Sequence, residues 1–161
     1  MRSNSLCTLN SMHSRVLSVI ALAIFGIIDA GYLSWARFTG SSLSCNILDG
    51  CNVVAASPES VLFGILPLSY LGLLFYVGIF VLGVLLLIKD TKVFRILLAL
   101  STLGGFLASL YFTYLQAYVI NAFCIYCLTS AALSTLLFGF SIWVYRTDEQ
   151  KDSPAEVAGL E

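Results

Sequence analysis

VGIFVLGVLLLI, residues 77–88, carries no charged side chain and no alternation of polar with apolar positions. A membrane β-strand would alternate over about ten residues. A continuous apolar run instead reads as a helix whose backbone groups are satisfied internally in lipid. Apolar character extends back to residue 61, giving a segment, 61–88, long enough for a hydrocarbon core of about 30 Å, which takes roughly 20 helical residues. Residues 16–36, 96–120 and 122–145 have the same character. The expectation is an all-α membrane protein: a four-transmembrane-helix bundle over residues 16–145, with a short outer loop and helix segment carrying a cysteine pair. Tails 1–15 and 146–161 flank it.

Composition excludes the main alternatives. Of 161 residues, 59% are hydrophobic and 11% charged, and the mean hydropathy is +0.94, outside the balance of a soluble domain. Membrane lipid is therefore a partner. The net charge of -1 and the lack of a basic block give no footing for nucleic acid. Glycines inside the runs, such as Gly26, Gly78, Gly83 and Gly104, suit close helix packing. Pro67 is expected in the first turns of the second span, where a missing N–H costs little.

Lysine and arginine set the orientation. Arg2, Arg15, Lys89, Lys92, Arg95, Arg146 and Lys151 fall on one side of the four spans and Arg37 alone on the other. Both termini are expected to be cytoplasmic, in a multi-pass protein of the plasma (inner) membrane. The first span is too long for a cleaved signal and reads as an uncleaved anchor.

Cys45 and Cys51, spaced C-x5-C, then lie in the outer loop, and Cys124 and Cys127, spaced C-x-x-C, open the fourth helix at the same face. Disulfides persist in that oxidising compartment. A C-x-x-C at a helix N-terminus can close a small disulfide ring, and the helix end stabilises a thiolate. Cys124 is expected to be the more exposed sulfur and Cys127 the more buried, facing an apolar interior. The loop pair is expected to swing, presenting one sulfur to the helix pair and one outward, so that electrons pass by successive disulfide exchange. Two structural disulfides clamping a scaffold protein would have the same spacing. A four-cysteine metal site suits the C-x-x-C half, but the outer location and the C-x5-C partner argue against it, and no metal is expected. Cys7 is alone on the other side.

The joint order of these elements resembles the vitamin K epoxide reductase family: the pair Cys45 and Cys51, then C-x5-S from Cys51 to Ser57, Phe63-Gly64, and Phe123-Cys124-Ile125-Tyr126-Cys127. The likeness runs from about residue 16 to 145, and the short outer loop looks more like the prokaryotic homologues. It implies a thiol:quinone oxidoreductase supporting disulfide-bond formation. Cys127 would act on a quinone, such as ubiquinone, menaquinone or a vitamin K-type quinone. Cys124 would exchange with Cys51, and Cys45 would close the cycle with a thioredoxin-like periplasmic or extracytoplasmic protein. Many relatives carry that domain after the last helix; this chain stops soon after Tyr145, so the partner is expected in trans. The disulfide-bond B family also has four helices and two outer cysteine pairs, but in the reverse order.

By the same resemblance Ser57 and Phe63 would line the quinone pocket, with Phe112, Gln116 and Tyr126 at a suitable depth. Ser57 reads equally as the N-cap of a helix starting at Pro58. Animal enzymes carry a tyrosine four residues after the second C-x-x-C cysteine, where this chain has Ala131. That polar contact is lost or supplied elsewhere. Asp29, a carboxylate inside the first span, reads as a proton route or as partner of a polar neighbour such as Tyr32 or Ser34.

Overall fold

The computed structural model describes residues 3–43, 50–62 and 66–157. Helix α1 is Ser3–Thr39, α2 the short Cys51–Ala56, α3 Leu68–Ile88, α4 Lys92–Leu115 and α5 Ile125–Val157. Four stretches, His13–Thr39, Leu68–Ile88, Lys92–Ile120 and Ile125–Arg146, are long and apolar enough to cross a membrane. They form the expected up-and-down bundle, in which α1 packs on α3 and α5, and α4 packs on α5. Helical geometry also runs beyond the spans, back to Ser3 and on to Val157.

The second span begins later than its hydropathy suggests. Val61–Leu62 and Leu66–Pro67 pair as a small antiparallel hairpin, Val61 opposite Pro67 and Leu62 opposite Leu66, and the helix starts only at Leu68. Pro67 caps it at φ -59° and ψ 134°. A proline biases the residue before it away from helix and lacks an N–H for the turn. Val61–Leu62, expected inside the second span, thus lie in strand pairing ahead of the helix.

Val19, Ala23, Tyr76, Ile79, Leu98 and Leu137 centre the main apolar core, and Ala36, Leu43, Cys51, Val54 and Cys124 form a second cluster at the end where the loops meet. Hydroxyl pairs tie the helices where lipid offers no alternative partner: Thr102 to Ser141 at 2.6 Å, Ser109 to Ser134 at 2.7 Å, and Tyr76 to Ser130 at 2.8 Å. A Cβ on Gly26 would overlap the Tyr76 ring, so that glycine is what lets α1 approach α3. Gly78, Gly104 and Gly139 meet no neighbour within 4 Å, so close packing does not account for them. At the opposite end Arg95 pairs with Asp90, Nε donating to Oδ1 at 2.7 Å, and the Arg15 guanidinium lies 4.1 Å from the Trp143 ring centroid.

Candidate redox site

Two chain reversals bring the cysteines together. The first follows α4, whose end widens into a π-helical turn, Gln116–Ile120. Asn121 then takes the left-handed conformation at φ 53°, which asparagine tolerates better than most residues. Three residues later Cys124 stands as the cap of α5, its carbonyl accepting from the Leu128 N–H at 3.0 Å. It lies just ahead of the helix and not within its first turn.

That placement sets the chemistry of its sulfur. An N-cap side chain ordinarily offers oxygen to the free N–H groups of the first turn; here the Cys124 sulfur accepts from the Cys127 thiol and from the Cys127 and Tyr126 N–H groups. The Cys127 thiol hydrogen bond, followed by these backbone donors, holds the Cys124 thiol down to about 7, against the opposing effects of burial and of the Asp29 charge. The thiolate is the form that attacks a disulfide, so the lowered value favours exchange. Gln116, buried in the π-turn, fixes the backbone: its Oε1 accepts from the Cys124 N–H at 2.9 Å. The amide nitrogen of Gln116 is what remains to offer a ligand.

The second reversal delivers Cys51. Gly50 caps α2 and lies flat on the α5 approach; a Cβ there would stand 2.6 Å from the Phe123 carbonyl oxygen and 2.8 Å from its nitrogen. Only a residue without a side chain lets α2 seat this close. Asn52 clips the other side of the loop, its Oδ1 accepting from the Leu43 N–H at 2.9 Å. Arg37 donates to the Ala55 carbonyl at 2.6 Å, and Ser60 Oγ to the same oxygen at 2.9 Å, so the open carbonyl end of α2 is satisfied.

Cys51 is 0% and Cys124 1% exposed, within one cluster. Cys51 is disulfide-bonded, whereas Cys124 and Cys127 are free thiols. This reverses the exposure expected of the C-x-x-C. Cys124 is the covered sulfur, because α2 sits on it, and Cys127 is only partly buried. Cys51 opens the short packed helix α2, and the loop before it, expected to swing, lies outside the described residues. A protein thiol from outside meets α2 before it can meet Cys124. Cys45 and Phe63 lie outside the described residues.

Behind the pair opens a cavity of about 1110 Å³, reached by Cys51, Cys124 and Cys127 and lined mostly by apolar atoms. Ser57, Phe112 and Gln116 line it. Ser57 is not an N-cap by its side chain; its hydroxyl donates to the Val54 carbonyl at 2.8 Å and closes the end of α2. Tyr126 does not reach the cavity and faces α1, its ring 5.0 Å from that of Tyr32. Ala131 is in the wall, and so are Tyr76 and Ser130. Tyr76 was not singled out from the sequence; its signal was a phenol inside an apolar run, which in lipid must find a partner. Gly50, Asn52 and Arg37 left no comparable trace, since their roles depend on where the loop lands.

Four apolar helices around a cavity, with a buried disulfide cysteine packed beside a cap thiol of lowered pKa, define a multi-pass membrane protein whose site is suited to redox chemistry. Residues 17–142 match the family model described as the vitamin K epoxide reductase family. The chain belongs to that family, and is accordingly a multi-pass membrane oxidoreductase.

Proposed function

We propose that the protein is a thiol:quinone oxidoreductase that draws electrons from a thioredoxin-like partner and supports disulfide-bond formation. The observation that carries this reading is the packing of disulfide-bonded Cys51 against the free thiol Cys124 at the wall of a cavity that Cys127 also lines. The partner's dithiol reduces a Cys45–Cys51 disulfide. Cys51 thiolate then attacks Cys124 of an oxidised Cys124–Cys127 pair, releasing Cys127. Cys45 attacks Cys51, re-forms the outer disulfide and leaves Cys124 and Cys127 reduced.

A quinone accepts two electrons and two protons as the inner pair closes its disulfide. The cavity suits one: its volume is slightly above that of most small-molecule sites, its lining is mostly apolar, and Gln116, Tyr76 and Ser130 are among the polar residues of its wall that could orient a ring carbonyl. Tyr76 and Ser130 take the place of the hydroxyl missing at Ala131. In this reading the cysteine end faces away from the cytoplasm, since the basic side chains gather at the other end.

The test is a trap. With Cys45→Ala, Cys51 has no resolving thiol, and non-reducing electrophoresis with mass mapping is expected to find a Cys51–Cys124 bond or a covalent thioredoxin-like protein. Cys127→Ala should abolish quinone reduction by reduced partner. If no single cysteine substitution yields either covalent species, the cysteines serve a scaffold and the reading fails.

A further inference from the structure

Asp29 is unused by the relay above. It sits in the membrane-spanning part of α1, and its Oδ2 is shut from solvent with no hydrogen-bond partner among the described residues. Buried polar atoms are rarely left so. One turn before it, Gly26 lies on the Tyr76 ring, and a turn and two turns after it Leu33 and Ala36 line the cavity, so this stripe of α1 faces the bundle interior. The charge of Asp29 is felt by Tyr76 on α3 and by Cys124, Tyr126 and Cys127 at the start of α5. Three of these, Tyr76, Cys124 and Cys127, line the cavity.

We propose that Asp29, set behind the cavity wall, holds the proton released by Cys127 while the inner cysteine pair is oxidised and returns it through that wall to the electron acceptor in the cavity. The proposal rests on the thiol:quinone reading. Oxidation of the dithiol forms the Cys124–Cys127 bond and releases two electrons and two protons. Cys124, whose thiolate is favoured by the donors around it, gives its proton to the aqueous mouth. Cys127 gives its proton to the Asp29 carboxylate, which keeps this dry region from holding a carboxylate and two thiolates at once. The two electrons pass to the acceptor as the sulfur–sulfur bond closes. Of the two protons the acceptor takes up, one comes from Asp29 and one from the aqueous mouth. Asp29 is a proton-holding residue acting from behind the pair.

The test compares Asp29→Asn, nearly the same shape without a proton site, with Asp29→Glu in the full-length protein in membranes. Quinone turnover should fall about a hundredfold in the Asn variant with KM little changed, the scale of a lost acid–base group, and recover in the Glu variant. Formation of the Cys51–Cys124 bond should be unchanged. Without any quinone, the ultraviolet titration of the Cys124 thiolate should move to lower pH in the Asn variant, because the opposing charge is gone. If the Asn variant does not accumulate, Asp29→Gln against Asp29→Glu makes the same comparison. Wild-type turnover that persists undiminished in the Asn or Gln variant, or an unmoved thiolate midpoint, overturns the proposal. Absence of quinone turnover in the wild type overturns the parent reading instead.

Discussion

Replacing Gly50 with alanine tests whether backbone contact sets the rate of exchange between the cysteine pairs. The added Cβ would stand 2.6 Å from the Phe123 carbonyl oxygen and 2.8 Å from the Phe123 nitrogen, and ordinary contact begins at 3.4 Å. The α2 helix and the approach to α5 must therefore part by about 0.8 Å, and neither obstacle is a flexible side-chain tip that could rotate away. Disulfide formation needs Cβ atoms about 3.5–4.5 Å apart with a narrow dihedral range, and a misplacement near 1 Å at a reacting centre costs up to about a hundredfold. Between ten- and a hundredfold slowing of Cys51–Cys124 bond formation is expected in a Cys45→Ala background, read by quenched non-reducing electrophoresis. The overpacking should also cost about 1–3 kcal/mol of stability. Gly31→Ala is the control, since a Cβ there meets nothing within 4 Å. An unchanged rate in Gly50→Ala, with the protein folded, would refute the idea that this contact aligns the sulfurs.

Two further outcomes are expected. In the reduced protein the Cys124 thiolate absorbance should titrate with a midpoint near 7, and Cys127→Ala should raise it, since the thiol hydrogen bond that favours the thiolate is lost; a midpoint unmoved by that substitution would remove the Cys127 thiol as its cause. Gln116→Leu should leave the buried Cys124 N–H without its acceptor and lower stability by about 1–3 kcal/mol, seen as a reduced melting temperature in detergent, whereas Gln116→Glu, which keeps an acceptor oxygen, should lose less.

Four helices, their order and the gathering of basic residues at one end were legible in the sequence because each depends on local composition: a run such as VGIFVLGVLLLI is helical in lipid whatever it packs against. The start of the second span was not, since hydropathy cannot distinguish an apolar helix from an apolar hairpin, and Pro67 decided between them. The likeness to the family likewise rested on short motifs in fixed order, Cys51 to Ser57 and Phe123 to Cys127, which need no coordinates.

Which sulfur is covered, and by what, belonged to the tertiary structure alone. Cys124 looked exposed as the first residue of a C-x-x-C, but Gly50 lets α2 settle on it, and Gln116, brought round by the π-turn, grips its backbone. Tyr126 fell at a plausible depth and yet faces Tyr32, while Tyr76, far along the chain from the C-x-x-C pair, stands in the cavity wall. Spacing along a chain fixes which residues share a turn of helix; it carries no information on how two distant turns are rotated toward each other. That rotation is set by side-chain volume and close packing, and here by glycines such as Gly26 and Gly50, whose missing Cβ atoms bring the elements together.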